Sequence, residues 1–149
     1  MPDKLNNIRH AALNLLAQRE HSAKELSRKL QHKAFHQADI HTLLTALCQE
    51  GLLNDTRFME NFIHSRRTRG YGPLHIRAEL LERGIAQDLI EHHLRITDNA
   101  WLEDMRKAWQ KRFKNRLPQD FKSRARQMRF LHYRGFTSEQ INQLLHNDD

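Results

Sequence analysis

Cysteine occurs once among the 149 residues, so no disulfide framework can staple this chain. The single thiol, Cys48 in Leu47-Cys48-Gln49, reads as a small hydrophobe buried on an apolar helix face. Proline is found three times and glycine five times, too few for a protein built of hairpins and loops. Long apolar runs are missing as well. None approaches the roughly 18 residues that a membrane span needs, and the stretch Met1 to His10 has no apolar core of a secretory signal. The sequence therefore predicts a cytoplasmic protein that makes no use of a membrane. With 38% hydrophobic and 29% charged residues, it can form a modest core and no deep interior.

Leu, Gln, Glu, Lys, Arg and Ala dominate instead, and these side chains lose little freedom in a helix. Helix ends are marked by Gly51, Gly70, Gly84 and Gly135, because the residue just past a helix often adopts a left-handed conformation that glycine takes without strain. Starts are marked by two capping boxes, Ser22-Ala23-Lys24-Glu25 and Thr137-Ser138-Glu139-Gln140, and by Pro73 in a first helical turn. Nine helices follow, near 5–18, 22–33, 37–50, 55–69, 73–83, 86–95, 99–116, 119–134 and 137–146.

The chain also repeats. A shift of 50 sets Ile8 on Phe58, Leu26 on Ile76, Leu30 on Leu80, Ile40 on Ile90 and Leu44 on Leu94, and a further shift of 51 sets Phe58 on Trp109, Leu80 on Leu131, Gly84 on Gly135 and Ile90 on Ile141. All helices share a 3.6-residue period, but the coincidence of glycines and caps exceeds what that period supplies. The expected fold is all-α: three tandem three-helix repeats over 1–53, 54–98 and 99–149, in an elongated, curved array.

A net charge of +7 and a pI near 10.0 point to a polyanionic partner, with nucleic acid favoured over an acidic membrane. The charge is uneven. Residues 1–54 hold seven cations and five acids, residues 55–99 seven of each, and residues 100–149 eleven cations and six acids.

Catalytic chemistry is hard to find in the chain. Arg69-Gly70-Tyr71-Gly72-Pro73 lacks the Gly-Lys-Ser/Thr ending and the preceding strand of a phosphate loop. His32 with His36, and His92 beside His93, have no acidic or cysteine ligands to complete a metal site. Glu79, Glu82, Asp88 and Glu91 alternate with arginines, as surface ion pairs do. Neither an enzyme nor a cofactor is expected.

Basic rows carry more information. In the seventh helix Leu102, Met105, Trp109 and Phe113 form an apolar face, and Lys107, Lys111 and Lys114 recur on the far side. The eighth sets Phe121, Ala125, Met128 and Leu131 on one stripe and Lys122, Arg126, Arg129 and Tyr133 on the next. Residues 100–134 hold eleven cations against Glu103, Asp104 and Asp120, so these rows suit phosphate backbones or an acidic protein groove. Arg66, Arg67 and Arg69 close the fourth helix, where the dipole favours one cation and three suggest a contact element. Tyr71 either joins that contact or folds back on the helix end. The candidate binding residues are thus Arg66, Arg67, Arg69, Tyr71, Lys107, Lys111, Arg112, Lys114, Lys122, Arg124, Arg126 and Arg129.

Gly51-Leu52-Leu53-Asn54-Asp55-Thr56-Arg57-Phe58, Arg66, Arg69-Gly70-Tyr71-Gly72-Pro73, Ile76, Leu80 and Gly84-Ile85 together resemble the central signature of the RecX family. Phe130-Leu131, Arg134-Gly135-Phe136 and Ile141 resemble its closing part, so the likeness runs through essentially the whole chain. It implies a helical modulator of the RecA recombinase. Such a protein sits in the groove of the RecA filament on single-stranded DNA, opposes filament growth, and lowers recombinase, ATPase and LexA-coprotease activities. Some members bind DNA directly. Arg66, Arg69, Tyr71 and Gly72 are the family-motif positions carried over, and the first repeat departs most from the pattern. A monomer is expected. The rival reading is a DNA-binding transcriptional regulator, since residues 22–53 resemble a helix-turn-helix unit.

Overall fold

The computed structural model describes residues 2–146. Residue 1, where the first expected repeat begins, and residues 147–149, where the third ends, lie outside the described residues. Among the described residues the chain forms nine α-helices and no strand: α1 (Pro2–Gln18), α2 (Ala23–His32), α3 (Gln37–Gln49), α4 (Asp55–Thr68), α5 (Pro73–Glu82), α6 (Gln87–His93), α7 (Ala100–Phe113), α8 (Phe121–Arg134) and α9 (Ser138–Leu145). The expected nine are there, most with ends within two or three residues. α7 stops three residues early because Lys114 and Asn115 both turn left-handed, at φ 54° and 64°.

Helix punctuation works as the glycines suggest. Gly51, Gly70, Gly84 and Gly135 all have φ between 76° and 101°. After three of them the next N–H donates back into the last turn, Leu52 to the Leu47 carbonyl, Tyr71 to Arg66 and Phe136 to Leu131, which satisfies carbonyls the helix leaves orphaned. α2 closes in the same way without glycine: Phe35 N–H reaches the Leu30 carbonyl at 3.3 Å while Ala34 sits at φ 68°. Both capping boxes are formed, at Ser22 and Thr137. A third joins Asp120 to Ser123 at the start of α8.

Two compact units emerge. The first holds residues up to Asn61 together with Leu81–Leu89, and the second holds Phe62–Leu80 with residues from Ile90 onward. The residues of α4, α5 and α6 are therefore divided between them.

In the first unit α1, α2 and α3 pack on one another. Leu26 and Leu30 sit one turn apart on α2, and Ile40, Leu43 and Leu47 share a stripe of α3. With Ile8, Ala12 and Leu53 they form a buried cluster ringed by Leu13, Leu16, Phe35 and Leu44. Each fully buried leucine contributes about 1.5–3 kcal/mol before entropy is charged against it. The box at Ser22 is anchored further, since its hydroxyl donates to the Arg83 carbonyl at 2.8 Å and Glu25 pairs with Arg19 and Arg83. Desolvation pushes the Glu25 carboxyl up, but the hydrogen bonds from Arg19 and the Ser22 N–H outweigh it and hold the group below the usual range.

Cys48 departs from expectation. It is exposed, because the buried stripe of α3 runs through Leu43 and Leu47 and the neighbour of Leu47 points about 100° away. Partial desolvation and the Asp55 carboxylate raise its thiol pKa.

In the second unit α7, α8 and α9 pack on one another. Trp101, Met105, Ala108 and Trp109 make the buried face of α7, rotated toward Trp101 from the expected one, so that Leu102 and Phe113 lie at its half-buried margin. Gln127, buried among them, accepts from the Trp109 indole at 2.9 Å and donates to the Arg116 carbonyl at 2.8 Å, leaving no polar atom there unsatisfied. Phe121 does not pack: it is 87% exposed at the first position of α8.

Candidate nucleic-acid interface

The Arg69-Gly70-Tyr71-Gly72-Pro73 segment leads from α4 into α5 and lies against the end of α8. Gly72 N–H donates to the Arg134 carbonyl at 2.6 Å and Leu74 N–H to the Gly135 carbonyl at 2.9 Å. A Cβ on Gly72 would stand 2.6 Å from the Gly135 carbonyl carbon, so only glycine permits this approach of two backbones. Tyr71 is half-buried, stacked on His75 with centroids 4.4 Å apart and covered by the Arg134 guanidinium at 5.0 Å. That guanidinium also donates to the Arg69 carbonyl at 2.9 Å and lies 5.1 Å from the Phe130 ring.

The three arginines closing α4 meet different fates. Arg66 makes two bonds to Glu79, at 3.0 and 3.2 Å, and lies over Phe62 at 4.3 Å. Arg67 bonds Asp104 at 2.6 Å and covers Trp101 at 4.6 Å. Both are occupied inside the fold, in the charge-assisted and cation–π geometries that suit arginine. Arg69 is exposed and its side chain makes no ion pair among the described residues.

On α7, Lys107, Lys111, Arg112 and Lys114 are all exposed. Arg112 lies 5.3 Å from the Phe113 ring and 5.9 Å from Phe130, and those rings meet edge to face. On α8, Lys122, Arg126 and Arg129 are exposed, and Arg124 is half-buried. Arg124 turns toward the end of α9, where it reaches the Leu145 carbonyl at 3.5 Å and His146. Asp120 is held ionised below its ordinary range by bonds from the Ser123 N–H and hydroxyl; α8 itself contains no acid.

Of the twelve candidates, Arg66, Arg67 and Arg124 are thus engaged with the fold and Tyr71 is built into a stack. The other eight are exposed, seven of them on or just after α7 and on α8. Sequence reasoning missed Arg106 and Arg116, which are exposed beside them, and it met Arg134 only in the family signature, not as a site residue, because its contacts with Arg69 and Tyr71 come from far along the chain. Among the described residues no group of three or more His, Cys, Asp or Glu is placed to hold a metal ion, and no helix is long and apolar enough to cross a membrane.

Comparison with known proteins agrees with this architecture. Three family models match in order, the first three-helix domain of RecX over 9–47, the second over 54–94 and the third over 102–145. Proteins named regulatory protein RecX are similar along nearly the full length. One from Pseudomonas putida is 46% identical, covering 95% of this chain and 91% of that one, and one from Ectopseudomonas mendocina is 43% identical over 95% of both. The crystal structure of RecX from Lactobacillus salivarius shares the fold, with a TM-score of 0.81, 22% identity, and coverage of 99% of this chain and 97% of the other. A second crystal structure of a regulatory protein RecX gives 0.79 at 17% identity, over 99% of this chain and 75% of that one. With all three domains matched in sequence order and identities of 43% and 46% over nearly the full length, the chain belongs to the RecX family of regulatory proteins.

Proposed function

We propose that the protein regulates the RecA recombinase by binding the RecA filament on single-stranded DNA, and that binding alone, without catalysis, limits filament growth and the recombinase, ATPase and coprotease activities. Family membership supports a regulatory role. The observation that carries the reading is the surface of α7 and α8, where Lys107, Lys111, Arg112, Lys114, Lys122, Arg126 and Arg129 are all exposed and none makes an ion pair among the described residues. A solvated helix normally interleaves its charges; rows of one sign are complementary to a polyanion.

The basic rows lie in the filament groove and engage DNA phosphates and acidic protomer surface together. Several weak contacts made at once restrain the rearrangements that filament growth and turnover require, since a ligand favouring one conformation shifts the equilibrium toward it. The purified protein should slow RecA's DNA-dependent ATP turnover when present well below one copy per RecA protomer. Unchanged turnover at equimolar protein would sink the reading.

A further inference from the structure

The outer face of α8 combines two features that a simple cation row does not explain together. At 100° per residue, Lys122, Arg126, Arg129 and Tyr133 fall within about 60° of one another, so they form one line along the helix. Consecutive members stand three or four residues apart, about 5–6 Å between β-carbons. The three cations are exposed, and Tyr133 ends the line with 80% of its surface in solvent.

Exposing a tyrosine this fully forfeits the burial that normally keeps aromatic rings inside. The chain's other tyrosine, Tyr71, is stacked on His75 under Arg134, while Tyr133 makes no ring, hydrogen-bond or ion-pair contact among the described residues. An acidic protein surface would be satisfied by the cations alone. A single strand presents phosphates and unstacked bases side by side, and the bases need π faces.

We infer that the line Lys122–Arg126–Arg129–Tyr133 is a direct binding site for single-stranded DNA, in which the cations track successive phosphates and the Tyr133 ring stacks on a base. This rests on the preceding proposal only in placing DNA near the protein; the site itself is a property of the isolated chain. A base paired inside a duplex cannot reach the ring, so the site discriminates against duplex.

The test uses the full chain, free of RecA, and a fluorescent oligodeoxythymidine at several salt concentrations. Tyr133→Ala should weaken binding roughly five- to hundred-fold with the salt slope unchanged, whereas Tyr133→Phe, which keeps the ring, should bind like the parent. Lys122→Gln, Arg126→Gln and Arg129→Gln should each flatten the slope by about 0.7. An iodouracil-substituted strand should cross-link to Tyr133, mapped by mass spectrometry. Equal affinity for a duplex, no loss in Tyr133→Ala, the same loss in Tyr133→Phe, or a cross-link mapped elsewhere would overturn the stacking site. RecA turnover measured with the same variants separates the two proposals: full inhibition by Tyr133→Ala leaves the regulator standing without this site. Loss of inhibition by a parent protein that still binds the oligonucleotide does the reverse.

Discussion

His21 is a buried polar residue with a complete set of partners. Its Nδ1 lies 3.0 Å from the Arg19 carbonyl and its Nε2 lies 2.8 Å from the Lys29 ammonium. The carbonyl can only accept and the ammonium can only donate, so the ring is neutral, with its proton on Nδ1. Burial, opposed by the Arg19 carbonyl and reinforced by the charges of Arg19 and Lys29, lowers its pKa. The folded pKa is below the unfolded value of about 6.5, so this contribution to stability is complete above that pH and is lost as pH falls through the folded pKa. Urea midpoints should drop between pH 7.5 and pH 5, and His21→Gln should narrow the drop; an equal drop in the variant would refute the assignment. None of this could be read in the sequence, where His21 is one of eleven histidines without a local pattern. The same holds for Arg66 and Arg67, whose partners Glu79 and Asp104 lie 13 and 37 residues away. Sequence position showed that the α4 terminus was cationic, and packing decided which cations remained free.

Helix ends were the most legible elements, and the exception is instructive. Gly84 and Gly135 are related by the repeat, and Ala34 is their counterpart in the first unit. It takes the same left-handed conformation, at 68° against 81° and 101°, with a side chain that pays about 1–2 kcal/mol for it. Alanine reads as a helix former, so nothing local announced this turn. Ala34→Gly should stabilise the protein by about 0.5–1 kcal/mol, the relief of strain less the greater entropy of glycine in the unfolded chain. Thermal unfolding should shift upward by about 2–4 °C, and a downward shift would show that the turn is unstrained. The Asp120–Ser123 cap escaped notice for a related reason, since a capping box is ordinarily recognised by Glu or Gln at its third helical position. The solvent exposure of Cys48 and Phe121 has another source: helix periodicity gives relative phase along a stripe, while the neighbouring helices fix which edge of the stripe is covered.

Across the whole molecule, a formal charge of +7 raises encounter with any polyanion, and that long-range pull must be separated from local contact. Reversing Lys111, Arg112, Arg126 and Arg129 should abolish inhibition of RecA with the circular dichroism unchanged. Because that also reverses the sign of the net charge, a paired comparison is sharper: Arg126→Glu with Arg129→Glu against Lys33→Glu with Arg95→Glu. Each pair lowers the charge by four, and all four residues are exposed. The α8 pair should cost at least tenfold in filament affinity, about 1.4 kcal/mol or more, and the Lys33 and Arg95 pair, outside α7 and α8, less than about threefold. Equal losses would mean that net charge alone matters. The backbone contact of Gly72 with Gly135 bears on something else, the modularity of the chain. Three similar repeats suggest cassettes that could be shuffled or truncated, yet Gly72 and Leu74 give their N–H groups to carbonyls at the end of α8. Deleting the third repeat would leave those donors unanswered, and a transplanted one would fit only if its own middle helix ended on a glycine at that level. The repeats are similar in design and are not interchangeable parts.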